Sequence, residues 1–498
     1  MSSASRPANL KAGLAADEVQ EVSVEGGSGT FTLTVTTATG LAAGGSSVLT
    51  EVEAGEGAFH VGDTLTMPPS HGQFAANTTV LAVGANTLTI STVPPFNATT
   101  GNRLEASETT AAIHAGASAA EVEAALVALP GVGAGNVEVT GPAGGPYLVS
   151  FQGSLADLPV ATMRAGGSAP VHVSEVTHGR SDGEIVVTVE NMGDAVLKGE
   201  MTPLTISDNL PPGLHAVGIV GKSPGFTANF QNPQGISCSL GSLSCTFDRE
   251  LAPYDELEIR IAVRVSPDAS STEANDVSVS GGGAPTTSFS RPIRISDEPS
   301  HYGVEDWRLR AEEEGGALAT QAGSHPFQVT GTVMINQGPE TGPLSEIKPV
   351  VEPVALSKDI ITKIPAGLIG NPVPIPRCTL TQFITEANFR EDECPANTAI
   401  GVVSVTVYEP ATVGYVDLAV PLFNLEPYYG EPARFGFFVD KANVPVVLDT
   451  SLRDGPGEDY GVNVTSTNIS QLAGLTGVRV TFWGVPNDPR HDNSRGWD

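Results

Sequence analysis

The chain has 498 residues, 40 % of them hydrophobic but only 16 % charged, with 25 Lys and Arg against 56 Asp and Glu for a formal net charge of −31. Such a balance excludes nucleic acid as a partner, because phosphate contacts draw on Lys and Arg, and it disfavours an anionic membrane surface. No stretch reaches the roughly 18 apolar residues of a membrane helix, so no membrane insertion is expected within this chain. Domains of roughly 100–200 residues predict two to four units. The 56 Gly and 38 Pro point to many turns between short strands.

Residues 1–17 hold Arg6 and Lys11 but no apolar run of signal-peptide length, and are expected to be a disordered leader. The first unit is expected over 18–168. Phe31, Leu33 and Val35 alternate with threonines, the period of a half-buried strand. Residues from about 41 to 108 read as a β insert with its own turns. Ser118-Ala-Ala-Glu121 is a capping box, Val122, Ala125, Leu126 and Leu129 form an apolar stripe, and Pro130-Gly131 stops the helix. Strands are predicted at Asn136–Thr140 and Tyr147–Phe151. The stretches VQEVSVEGGSGTFTLTVTT and AAIHAGASAAEVEAALVALPGVGAGNVEVTGPAGGPYLVSF resemble a repeat module common in large surface proteins of high-GC Gram-positive bacteria and in phage structural proteins. The usual module runs from its second strand almost directly into the helix, so the insert is a departure.

The second unit is expected over 169–298. About seven short strands at about 8–12-residue spacing, with turn signals between them, suit an immunoglobulin-like β-sandwich. The series EIVVTVENMGDA, LTISDNLPPGLHAV, ISCSLGSLSCTF and APYDELEIRIAVRVSPDA is similar to the surface-protein conserved-repeat domain (domain of unknown function eleven). That resemblance implies the same sandwich. Residues 299–325, with Glu312-Glu-Glu314 and Gly315-Gly316, read as a linker that lets the units move as independent beads. Trp307 and Leu309 are the residues there able to dock on a neighbour.

The third unit, 326–498, reads as a β-rich surface domain, with strands near Ile400–Val407, Arg434–Val439, Val444–Leu448, Tyr460–Thr465 and Val478–Trp483. IPAGLIGNPVPIPRCTL, CPANTAIGVVSV and FWGVPNDPRHDNSRG resemble a β domain that recurs in the same class of surface proteins, and the domain is expected to be truncated at its C-terminus. The fold class predicted for the whole is mainly β: tandem sandwich or immunoglobulin-like domains with one small α+β module on the N-terminal side.

Four cysteines fall in two local pairs, Cys238 with Cys245 and Cys378 with Cys394. Their even number and the lack of metal-ligand spacing predict two disulfides, formed in an oxidising compartment. No nucleophile elbow, zinc-protease motif, P-loop or dinucleotide fingerprint occurs in the sequence. Asp488, His491 and Asp492 are the most tempting cluster, as metal ligands or an acid–base set, but a turn built on Asx hydrogen bonds accounts for them better. Asp454, Glu458 and Asp459 offer oxygens around Gly455-Pro-Gly457 without the alternation of a calcium loop. His60 with His71, and His172 with His178, read as surface residues. Tyr428 and Tyr429 are candidates for a glycan-stacking platform, with a packed corner preferred. Lys198, a conceivable donor for an intramolecular Lys–Asn bond, has no assignable partner. The expected site set is therefore the disulfides alone, with no catalytic, cofactor or metal residue. The expected role is a non-catalytic structural or adhesive segment of a large bacterial cell-surface or secreted protein, facing an unidentified surface protein or glycan. The signal and anchor are expected outside this chain. The alternatives are a carbohydrate- or protein-binding module of an extracellular enzyme, and a phage virion structural protein.

Overall fold

The computed structural model is mainly β, with 50 % strand and 7 % helix. It describes residues 2–8, 10, 13–43, 46–57, 59–66, 74–75, 77–84, 87–93, 102–222, 236–269, 274–295, 301–339, 351–385, 393–409, 414–439, 444–471 and 474–495.

In the first unit the strands Val137–Thr140, Tyr147–Phe151, Val19–Val24 and Val171–Thr177 form an antiparallel sheet in that order. The helix Ala119–Val127 begins at the predicted capping box, with Ser118 and Glu121 each bonding the other's backbone N–H. Its buried Val122 and Leu126 pack with Tyr147 and Phe151 into one core. The 14-residue strand Thr30–Ala43 leaves this core. Its first half pairs with Ile113–His114 and Arg164–Gly167, its second with Asn102–Thr109 and Val48–Gly57. The insert has a core of its own around Leu49, Leu65, Leu88 and Leu104. The boundary expected at 168 lies later, because Val171–Thr177 completes the first unit's sheet.

The second unit is a sandwich. One sheet has the order Ser2–Ala8, Gly183–Glu190, Glu256–Val265, Leu214–Lys222; the other has Ile236–Ser239, Ser244–Phe247, Leu204–Asn209, Ala274–Gly281, Ala284–Pro292. Ile185, Val187, Ile259 and Ile261 from the first meet Leu204, Ile206, Phe247 and Val277 from the second. The expected disordered leader is a strand here: Ser2–Ala8 pairs along Glu184–Glu190, and Leu10 is buried in the sandwich core. Edge addition rests on main-chain hydrogen bonds, which leave little trace in side-chain pattern. The first unit is thus inserted between two strands of the sandwich. Cys238 and Cys245 face each other across a hairpin and are bonded, with Cα atoms 4.1 Å apart.

The third unit is a nine-stranded antiparallel sheet curled into a half-barrel. Its order is Val304–Glu312, Gln328–Ile335, Gly474–Trp483, Ala399–Glu409, Gly414–Asn424, Arg434–Val439, Val444–Leu452, Val462–Ser466, Ile360–Lys363. The expected linker therefore contains the sheet's first strand. Trp307 and Leu309 sit opposite Val333 and Gly331 in that ladder. Gly315 and Gly316 follow in the left-handed region, at φ +89° and +84°, so the acidic stretch turns back on itself, with Glu313 N–H donating to Ala317 O. Cys378 and Cys394 are bonded, with Cα atoms 5.3 Å apart.

Candidate functional site

Strand period sets two faces on every strand of the second and third units. On Glu256–Val265, Leu257, Ile259, Ile261 and Val263 enter the sandwich core, and Glu256, Glu258 and Arg260 take the opposite face. On Gly183–Glu190, Thr188 and Glu190 share that second face. Polar faces of this kind ordinarily meet water, yet Thr188, Glu190, Glu256 and Glu258 are all 4 % exposed or less. What covers the Glu190 end is the third unit. There Val403 and Val405 face the half-barrel core, and Ser404 and Thr406 point the other way and are also buried.

The two polar faces meet through Arg479. Its Nη1 lies 3.2 Å from Glu190 Oε2 and closer still to a Glu256 carboxylate oxygen. Ser404 Oγ donates to Glu190 Oε1 at 3.2 Å. Burial pushes the Glu190 carboxyl up to about 7; Arg479 opposes that rise and Glu256 adds to it. Beside this clamp stands Tyr254, held at φ +65°, a region that L side chains rarely adopt. Its N–H donates to Asn191 O at 2.7 Å, which carries the ring out of the sandwich and into the cluster of Cys378, Phe383, Val402 and Trp483. The Tyr254 hydroxyl accepts from Trp483 Nε1 at 2.8 Å and donates to Gln328 Oε1 at 3.4 Å. Burial raises its pKa above the ordinary phenol value. Gln328 Nε2 in turn reaches Met192 O at 3.2 Å and Glu312 Oε2 at 3.0 Å. His491 closes the junction, with Nδ1 2.9 Å from Asp194 Oδ1 and the ring stacked on Trp483 at 4.3 Å.

This arrangement is built to hold two sheets in one orientation, with a cation between two buried carboxylates and a phenol bridging both units. Asp488, His491 and Asp492, for which a turn is the preferred reading, do not converge as a ligand set among the described residues. Asp488 caps the turn Pro489–His491 and pairs with Arg490, which holds its carboxyl well below the usual range. Asp492 pairs with Arg495, and the His491 partner, Asp194, is 297 positions away. In the acidic loop, Arg453 binds Asp459 and holds its carboxyl down to about 2, and Asp454 and Glu458 are exposed. The Arg434 guanidinium carbon lies over the Tyr428 ring, 3.8 Å from the ring centroid, and Tyr429 is fully exposed. Lys198 pairs in register with Glu250.

Two histidines read as lone surface residues turn out to face acids. His178 Nδ1 is 3.4 Å from Glu175 and 3.9 Å from Glu18, and His60 Nδ1 is 3.4 Å from Glu108. Each histidine has an acid three positions away, Glu175 and Asp63, but Glu18 and Glu108, which complete the groups, lie far off in the sequence. His172 is exposed on its strand, and His71 lies outside the described residues. The junction residues Glu190, Tyr254, Glu256 and Arg479 were not singled out by sequence, since a charge in an alternating strand reads as a solvated face. Among the described residues no helix is long and apolar enough to cross a membrane. No protein-family model matches the chain, and no curated protein matches it.

Proposed function

We propose that this chain is a non-catalytic structural and adhesive segment of a large bacterial cell-surface or secreted protein, in which the second and third units act as one rigid spacer and the first projects from it. The observation that carries the reading is the Glu190–Arg479–Glu256 clamp with Tyr254 and Trp483 beside it. Freely hinged units share small, solvated interfaces. A buried ion triad instead penalises every arrangement that separates its members. Two disulfides suit an exported protein, and the second unit's resemblance to a conserved-repeat domain of surface proteins, which rests on sequence pattern alone, belongs to the same proposal. His491, Asp488 and Asp492, the residues with most chemical promise, are each occupied in packing or turn contacts.

Spin labels on Glu200→Cys and Glu458→Cys, in exposed turns of the second and third units, test the rigidity. One narrow distance distribution, unchanged between low and high salt, is expected; a broad, salt-dependent one returns the units to independent beads and removes the reading. The exposed Tyr429 beside the Tyr428–Arg434 stack favours, as a second reading, a glycan-binding surface on the third unit. Binding on a glycan array that is lost in Tyr429→Ala would establish it.

A further inference from the structure

We infer that His60, Asp63 and Glu108 form a site for one divalent transition-series cation, Zn²⁺ before others, that joins the His60–Asp63 turn of the β insert to its last strand. This inference is independent of the proposed function. His60 and Asp63 lie in the turn between the strands Val48–Gly57 and Thr64–Thr66. Glu108 comes from Asn102–Thr109, which pairs with Thr64–Thr66 on one side and with Thr30–Ala43 on the other. The turn fixes one oxygen of Asp63, since Oδ2 accepts from His60 N–H at 2.7 Å. The other, Oδ1, has no hydrogen-bond partner among the described residues, although Asp63 is 1 % exposed. The Nδ1 atom of the partly exposed His60 is also buried and has no hydrogen-bond partner among the described residues.

The three residues each offer one ligand atom, all within 4.8 Å of one another. The His60 Nδ1 to Glu108 Oε1 separation of 3.4 Å is long for a hydrogen bond. It matches the edge of a tetrahedron around Zn²⁺, about 3.4 Å for bonds of about 2.0–2.2 Å. One imidazole nitrogen with two carboxylates suits zinc or its neighbours, whereas calcium asks for more ligands and all of them oxygen. Both Glu108 oxygens accept from Gly131 N–H, at 3.0 and 3.1 Å, the outer support that orients a metal-binding carboxylate. Asp63 and Glu108 are both buried and face each other here, and two carboxylates so placed repel. A cation between them removes that conflict. It would also tie the insert, through Glu108, to the Pro130-Gly131 turn that ends the helix. The comparable group Glu18, Glu175 and His178 lacks this preparation, because its second carboxylate, Glu175, is exposed where Asp63 is buried.

The test is calorimetric titration of the tag-free, chelator-stripped 498-residue chain with ZnCl₂. One equivalent should bind and raise the melting midpoint, and millimolar CaCl₂ should not compete. His60→Ala, at a side chain 34 % exposed, should leave the metal-free melt unchanged. It should weaken Zn²⁺ binding by more than the roughly 10–100-fold that loss of an outer-shell partner costs. Asp63→Asn, which keeps the turn's acceptor, should do the same, and His178→Ala should bind as the parent. If Asp63→Asn does not fold, His60→Ala decides alone. No binding, parent-like binding by His60→Ala, or binding lost only in His178→Ala would overturn the assignment, leaving a proton shared between Asp63 and Glu108.

Discussion

The strand Glu256–Val265 has two buried faces of opposite chemistry. Toward the sandwich interior it presents Leu257, Ile259, Ile261 and Val263, which pack in the apolar core. Toward the third unit its leading residue, Glu256, meets Arg479. The apolar face is where folding free energy is gained, at about 25 cal/mol per Å² removed from water. The polar face gains little over leaving the charges in water, but it makes separation or misalignment costly. One face holds the unit together, and the other sets where its neighbour stands.

Removing the cation should break the polar side hardest. Arg479→Met leaves Glu190 and Glu256 buried against each other, with an expected loss of about 3–5 kcal/mol in denaturant unfolding. It should also split one transition into two as the third unit releases the second. Adding Glu190→Gln and Glu256→Gln should restore most of the loss. A single-variant loss below about 1 kcal/mol, the range of exposed pairs, would mean that the clamp is solvated.

Tyr254→Phe sharpens the contrast at lower cost. It strands the buried Trp483 Nε1–H and the Gln328 amide oxygen, with an expected loss of about 1–3 kcal/mol. Ile259→Val on the apolar face costs a similar about 0.5–1.5 kcal/mol. Only the tyrosine change should broaden the spin-label distance between the units. If both or neither broaden it, the division of labour between the faces is wrong.

The smallest effect is that of pH. Glu190 has its pKa raised from 4.5 to about 7 in the folded chain, with Arg479, Glu256, Ser404 and Glu312 around it. A raised carboxyl contributes stability that is fully present below the unfolded value and lost as pH rises through the folded one. Going from pH 8 to pH 6 should therefore stabilise the junction by about 1 kcal/mol. Asp208 and Asp255, each raised to about 6 chiefly by burial, act in the same direction. Glu108, also raised to about 7 chiefly by burial, titrates in the same window, so Glu190→Gln should reduce the dependence by about half. A stability that falls steadily from pH 8 to 6 in the parent chain would contradict the burial of Glu190.

Much of this fold was legible because its signals are local. The Ser118–Glu121 box and the Val122–Leu126 spacing lie within one helix, and Cys238 and Cys245 are seven positions apart on one hairpin. The first misses were edge strands. Ser2–Ala8 joins its sheet through the main chain, and Val304–Glu312, with one ladder neighbour and much of its surface half-exposed, carries charges that suit a linker as well as a strand. Of the candidate sites, His60 and Asp63 sit three residues apart in the sequence, but Glu108, which completes their cluster, arrives through strand pairing.

By itself, the sequence determined which residues alternate along each strand and which of those faces is apolar, because period two is a property of the extended backbone. Only the tertiary structure decided that the polar face at Glu190 and Glu256 is dry. Its cover, Arg479, lies 223 positions from Glu256. A carboxylate bound for water and one bound for a guanidinium on a distant sheet look the same in a strand, since the difference rests on the dielectric and the partner that the rest of the chain brings to it.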